Sequence, residues 1–274
     1  MKSLFKKIIP PFFVDIFNKI EDLFTKKYPD WKSYNSKNSI DYNQEMLAKS
    51  VYLKTQKFRN QNVISDVISD KSLKEPVELM FSFHDHQEMN VLDYGGASGY
   101  GYYALKKLGY PGSLKYNIIE TSEMVRMNIS NKSDELFFYS DIDSMPASER
   151  LDLVLINSVL QYLPDYFAIL DQIFVLNPSR ICIKRTPYLK QKDYWSVQKS
   201  RLRNNGSGNM DEDISDRLIK YPVHSMSLEK LVDYLKKKEH YNFHIFNVGN
   251  WVLNGKNHGL YDLYIYRNGL DCMN

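Results

Sequence analysis

The sequence predicts an α/β protein: a parallel sheet with helices on both faces, preceded by an N-terminal helical cap. Three observations predict it. From Asn90 to Lys184, short apolar runs of strand length alternate with helical stretches, the rhythm of repeated β-α-β units. The first of these strands ends in a glycine-rich turn, Asp93-Tyr94-Gly95-Gly96-Ala97-Ser98-Gly99, which opens directly into a helix. Two further strand patterns, joined by a Gly/Asn-rich connection, close the chain.

The elements follow in order. Residues 1–27 form a basic amphipathic segment, with Phe13, Ile16, Phe17, Ile20, Leu23 and Phe24 at helical spacing. It suits either an anionic membrane surface or this protein's own core or a partner subunit. Tyr28 to Asn43 reads as a polar, aromatic connector. Gln44 to Asn60 and Val63 to Phe83 read as helices, the second region broken near Pro76. These segments make residues 1–88 a helical cap. Residues 89–274 form the main domain. Its strands are Val91 to Tyr94, Lys115 to Ile119, Leu136 to Tyr139, Leu151 to Ile156 and Arg180 to Lys184. Helices follow the first strand, through Leu108, and the fourth, from about Asp165 to Leu176. Leu189 to Val223 interrupts the rhythm with the run Asn204 to Asn209 and the acids Asp211, Glu212 and Asp213, and reads as an inserted, mobile lid. The helix Leu228 to Lys238 and the strands Tyr241 to Val248 and Leu260 to Arg267 complete the domain.

Composition narrows the function. The chain has 274 residues and a formal net charge of +3. Six lysines against three acids in the first 27 residues account for that excess, so the main domain is balanced and nucleic acid is not an expected partner. No stretch approaches about 20 consecutive apolar residues. The two cysteines, Cys182 and Cys272, form neither a disulfide framework nor a zinc spacing, and no metal is expected. A cytoplasmic location is the simplest reading, with peripheral contact at the inner membrane through residues 1–27.

The glycine loop sits where such sheets bind ligands, at a strand's carboxyl end. Gly95, Gly96 and Gly99 let backbone approach a ligand, and the helix N-terminus offers free N–H groups to a carboxylate. Asp93 is placed to hold an amino group. Glu120, ending the second strand, can accept bonds from ribose hydroxyls, and Asp141 follows the third strand near an adenine position. Together these features suit S-adenosylmethionine (SAM). A nicotinamide reading rests on Gly99-Tyr100-Gly101-Tyr102-Tyr103-Ala104 with Glu120 downstream. That fingerprint needs its first glycine close behind the strand, whereas here the strand ends by Tyr94.

Asp152 to Leu163, with Asn157 ending the strand and Val159-Leu160-Gln161-Tyr162-Leu163 after it, resembles the fourth-strand segment of class I small-molecule methyltransferases. The resemblance implies a Rossmann-like sheet with its last strand antiparallel to the rest. Asn157, Gln161 and Tyr162 are candidates to line the cofactor pocket, with core packing the alternative for Tyr162. Gly95-Gly96-x-x-Gly99, Ser158 to Leu163, Lys184-Arg185-Thr186-Pro187-Tyr188 and Tyr28-Pro29-Asp30-Trp31 with Tyr42 are similar to one group within that class. These are methyltransferases encoded in bacterial O-antigen and capsule gene clusters. The likeness spans most of the chain from Tyr28, except Leu189 to Val223, and implies methylation in surface-glycan biosynthesis.

Methyl transfer to an alcohol needs alignment and a proton acceptor. His224, just before a late helix, is the leading candidate base; the alternative is a histidine bonded only to backbone near the helix start. Arg185 and Tyr188 follow the fifth strand and should face the acceptor. Arg185 could clamp a phosphate or carboxylate there, or brace the loop through an ion pair. Asp143 is a reserve base. The acids Asp211 to Asp213 suit a solvated loop better than Mg²⁺, and His84 and His86 read as surface residues. The expected activity is SAM-dependent O-methylation of a small-molecule or glycan acceptor, a sugar or sugar-phosphate. The alternatives are a scaffold that keeps the fold without catalysis and a nicotinamide-dependent sugar oxidoreductase.

Overall fold

Burial on both faces dictates the centre of the sheet. β1 (Glu88–Tyr94) and β4 (Leu153–Asn157) are almost continuously buried, as strands covered by helices on each side must be. The computed structural model describes residues 27–35, 44–61, 77–81, 88–146, 150–208, 216–253 and 256–270. Segment 1–26, His84, His86, the acids Asp211 to Asp213, and Cys272 lie outside the described residues.

β2 (Ser113–Ile119) and β3 (Leu136–Tyr139) lie to one side of β1, and β4 and β5 (Arg180–Leu189) to the other. The order is β3-β2-β1-β4-β5, with every pairing parallel. β9 (Lys256–Arg267) then pairs antiparallel with β5, and β8 (Tyr241–Leu253) antiparallel with β9. This is the Rossmann-like sheet anticipated from the sequence, mostly parallel with the last strand reversed. Successive residues of each strand feed opposite layers. Val91, Leu155 and Cys182 face a layer with Phe58, Val77, Met80 and Leu105. Leu92, Val154, Ile156, Ile181 and Ile183 face the other, with Leu170, Ile173, Leu231 and Leu235. The helices are α1 (Trp31–Asn35), α2 (Glu45–Asn60), α3 (Tyr100–Lys107), α4 (Ser122–Met127), α5 (Tyr166–Val175) and α6 (Leu228–Leu235), and residues 77–81 are helical too. Side-chain caps start α4 at Thr121, α5 at Asp165 and α6 at Ser227. Among the described residues no helix is long and apolar enough to cross a membrane.

The structure differs from the sequence reading beyond Lys184. β5 continues to Leu189 through a bulge, where Arg185 adopts a left-handed φ of 48°. The segment read as an inserted, mobile lid over Leu189 to Val223 instead carries a hairpin of β6 (Tyr194–Arg201) and β7 (Leu218–Ser227), whose second strand runs past Val223. β7 rejoins the sheet by pairing parallel with the end of β5, Tyr188 opposite Met226 and Leu189 opposite Ser227. The hairpin was hidden because β6 is polar in composition, with only Trp195 and Val197 as apolar residues after Tyr194. Its stability comes from distant partners. Backbone bonds join Tyr28 to Trp195 in both directions, and α1 sets Trp31 edge-on and Tyr34 tilted against Trp195. The buried ammonium of Lys54 on α2 donates to the carbonyls of Arg203 and Asn205 at 2.7 and 2.8 Å. Leu47 and Val51 of α2 pack with Ile219 and Tyr221 of β7, Met124 of α4, and Ala97. α2 and the hairpin thus form a roof beside the glycine loop, at the carboxyl end of the parallel strands.

Candidate active site

The glycine loop is shaped by contacts that exclude side chains. Gly95 has φ of 79°, donates its N–H to Ile119, and leaves only 2.3 Å between an added Cβ and Val159 Cγ2. A Cβ on Gly96 would sit 2.6 Å from the Asp93 carboxylate. Gly99, with φ of 83°, is the left-handed residue from which α3 starts. Ala97 also holds a left-handed φ, 54°, and its N–H donates to Glu120 Oε1 at 3.2 Å.

The strand-end acids gather around this loop. Asp93 is buried and accepts a bond from the Tyr116 hydroxyl at 2.8 Å; burial pushes its carboxyl up to about 6 despite that bond. Glu120 accepts a second N–H, from Thr121 at 2.7 Å, and burial raises its carboxyl as well. Asp141 is exposed and caps a turn, accepting from Ser144 N and Ser140 Oγ, and these bonds hold its carboxyl below the usual range. The Tyr94 phenol is pushed up to about 12 by burial and then by the charges of Glu120 and Asp141, so these three side chains share one electrostatic neighbourhood. Two carboxylates against the loop suit a ligand carrying a cation and hydroxyls, and repel a pyrophosphate. That chemistry fits the ammonium, sulfonium and ribose of SAM and disfavours a dinucleotide.

Asn157 ends β4, and its Oδ1 accepts from Arg185 Nε at 3.0 Å. The Arg185 N–H donates to Asp262 Oδ1 at 2.7 Å, and Asp262 in turn forms a buried ion pair with Lys184. The bulge therefore turns the guanidinium of Arg185 back onto the end of β4. Gln161 is buried, and its Nε2 donates to the Ser158 carbonyl and hydroxyl at 3.0 and 3.1 Å. Its Oε1 has no partner among the described residues.

His224 lies on β7, two residues before the point where that strand meets β5. Its Nε2 bonds the carboxylate of Asp193, its ring stacks on Trp195 with centroids 4.6 Å apart, and Nδ1 is buried without a partner among the described residues. Asp193 also accepts from Lys230 at 3.0 Å. Burial alone would raise the Asp193 carboxyl, but the bonds and charges of His224 and Lys230 outweigh it and hold the group below its ordinary value. Sequence reasoning found His224 and missed Asp193. Asp193 sits in a polar run 31 residues away, and nothing in that run marks it. Tyr188 is fully buried, with its hydroxyl unpartnered among the described residues.

No family model matches the chain, and no curated protein matches it. Solved structures similar to it include the N-terminal domain of EvdMO1, determined in the presence of SAH and D-fucose. It is 15% identical, with 73% of this chain and 84% of that one covered and a TM-score of 0.46. The amino pentose methyltransferase CalS10 of Micromonospora echinaspora, involved in calicheamicin biosynthesis, is 8% identical over 73% of this chain and 93% of its own, with a TM-score of 0.46. A SAM-dependent methyltransferase from Clostridium acetobutylicum is 11% identical over 74% and 95%, with a TM-score of 0.45.

Proposed function

We propose that this protein is a SAM-dependent O-methyltransferase acting on a hydroxyl of a sugar or sugar-phosphate in surface-polysaccharide assembly. The observation that carries the reading is a pairing across the carboxyl end of the sheet. Carboxylates and a glycine-rich loop lie over β1 and β2, and a buried imidazole held by a carboxylate lies beyond β5. The first half fits SAM and the second fits removal of a hydroxyl proton. The polysaccharide context rests on the resemblance at Tyr28 to Trp31 and Lys184 to Tyr188.

Bound at the loop, SAM supplies a methyl group on a sulfonium, activated for in-line displacement by oxygen. Asp93 would hold the ammonium, the free N–H groups at the start of α3 would bind the carboxylate, and Glu120 would take the ribose hydroxyls. Asp141 would meet the adenine, and Asn157 and Gln161 would line the pocket. His224 takes the acceptor's proton at Nδ1, and Asp193 stabilises the imidazolium that results. Arg185 binds an anionic group on the acceptor, and the roof of α2 and the hairpin excludes water. Residues 1–27 bring the protein to the cytoplasmic face of the membrane where glycans are assembled.

The test is mass spectrometry of the surface glycan from cells with and without the gene. The reading predicts loss of one O-methyl group from a defined sugar, restored by the wild-type gene and not by a His224→Ala gene. An unchanged methylation pattern would overturn the polysaccharide assignment.

A further inference from the structure

A strand at the edge of a sheet keeps one row of unpaired backbone N–H and C=O groups, a template for another strand. Among the described residues this sheet has three such edges: β3, β6 and β8. Two of them are blunted. β3 is 4 residues long. β6 carries Lys199 and Arg201 and is bridged by Tyr28. β8 is different: it is 13 residues long, pairs with β9 alone among the described strands, and holds no Lys, Arg, Asp, Glu or Pro.

The side chains of β8 sharpen the contrast. Tyr241, Phe243 and Ile245 pack on the layer that contains α5 and α6. His244 and Phe246 stand on the opposite face with Tyr264 and Tyr266 of β9. The rings of His244 and Tyr266 stack with centroids 5.6 Å apart, and Phe246 meets Tyr264 edge-on at 5.8 Å. Phe246, Val248 and Val252 are 50%, 46% and 60% exposed, three of the seven exposed large apolar side chains among the described residues. A long, uncharged edge that gathers nearly half of them is a protein-contact surface, not a solvated one. Its one irregularity is the bulge between Asn247 and Gly249, where Asn247 Oδ1 accepts from the Gly249 N–H at 3.0 Å. From Tyr241 to Asn247 the pairing with β9 is regular, and that stretch offers a straight edge.

We propose that this edge pairs with the same edge of a second copy of the chain, β8 against β8 in antiparallel order about a twofold axis. Whatever covers β8 must bring an open strand edge of its own and match a strand without charge. The chain's own β8 does both. Under a twofold, a Lys or Asp on the strand would be brought toward its like; β8 has neither, so self-pairing meets no such repulsion. The aromatic faces of His244, Phe246, Tyr264 and Tyr266 then adjoin across the seam. β8 runs parallel to β5, because both are antiparallel to β9. Pairing β8 with its copy therefore points the two parallel sheets in opposite directions, and the two candidate active sites open at opposite ends. The inference is independent of the methyl-transfer reading.

The test is sedimentation velocity of the full-length protein from about 1 to 200 µM, beside hydrogen exchange at both ends of that range. The wild type should dimerise, and the β8 amides that do not bond β9 should exchange more slowly as concentration rises. Phe246→Lys and Val248→Lys should each weaken dimerisation by roughly tenfold or more, because each brings like charges to the seam. Ile129→Lys, at a side chain 62% exposed just before β3 and the far edge of the sheet, should leave dimerisation unchanged. Melting temperature at the lowest concentration should match the wild type in all three, since these side chains face solvent in a single copy. If a lysine variant melts early, the concentration-dependent protection of β8 in the wild type decides. A wild type that stays monomeric throughout would overturn the proposal, whether the edge is bare or meant for a different protein. Folded β8 lysine variants that dimerise normally would overturn it too. So would a monomer whose outward β8 amides are already protected at the lowest concentration, since another part of the same chain would then cover the edge.

Discussion

The two halves of the site are finished to different degrees. Over β1 and β2 each carboxylate has a protein partner: Tyr116 for Asp93, and the N–H groups of Ala97 and Thr121 for Glu120. Around the end of β5 the hydroxyls of Tyr166 and Tyr188 and His224 Nδ1 have none among the described residues. The first half is preorganised for one ligand, with its loop geometry set before binding. On the proposed function, the second is where the acceptor would bind. A shared cofactor and a particular acceptor call for these two solutions, and substitutions in the two halves should fail differently.

The largest effect is expected at Gly95. Gly95→Val places a Cβ against Val159 at a backbone φ that valine resists, so it should abolish SAM binding and lower the melting temperature together. Calorimetry and thermal melts would check it. A folded variant with normal SAM affinity would break the link between loop shape and cofactor.

In the acceptor half the losses should be kinetic. His224→Ala should lower kcat by about 10²–10⁴ while SAM affinity is kept. Asp193→Asn should lower kcat less and alter its pH profile, because Asp193 acts through the imidazole. Arg185→Ala should instead raise the acceptor KM, by roughly tenfold or more, since its contact is made equally in ground and transition states. Steady-state kinetics beside thermal melts would separate these from a loss of stability common to all three. A His224→Ala enzyme with normal kcat would remove it as the base.

Asp93 gives the cofactor half its own pH signature. Its carboxyl titrates at about 6 in the native protein against an ordinary 3.8, with burial as the main cause. Between those values the native state holds a proton that the unfolded chain has released. Stability of the ligand-free protein therefore falls as pH rises from about 4 to about 6, by up to about 3 kcal/mol, and levels off above. The SAM ammonium prefers the ionised carboxylate, so SAM affinity should rise over the same interval. Asp93→Asn should flatten both curves, as denaturant melts and calorimetry from pH 4.5 to 8 would show.

The same division governs what could be read from the sequence. Asp93, Gly95, Gly99 and Glu120 were legible because each sits at the end of a short apolar strand, and position along the chain fixes position in space. β5 beyond Lys184, the β6–β7 hairpin and Asp193 were not. Trp195 is held by Tyr28 and Tyr34, Lys54 by carbonyls about 150 residues away, and His224 by a carboxylate in a featureless loop. Long-range pairing of polar residues leaves no periodic trace. Arg185 shows the limit in one residue: the sequence reading ended the fifth strand before it, whereas it lies within β5 at a left-handed bulge and bonds Asn157.

The central claim is that the loop and strand-end acids bind SAM, and calorimetric titration of SAM into wild type and Glu120→Gln tests it most directly. The glutamine keeps the side chain's length and one oxygen for the loop, while the charge on the ribose contact is lost. A single site is expected in the wild type and a loss of roughly 1–3 kcal/mol in the variant, whose amide also gives up one of the two N–H bonds from Ala97 and Thr121 and so melts somewhat lower while still folding. No heat of binding in the wild type, or equal affinity in a folded Glu120→Gln protein, would contradict it.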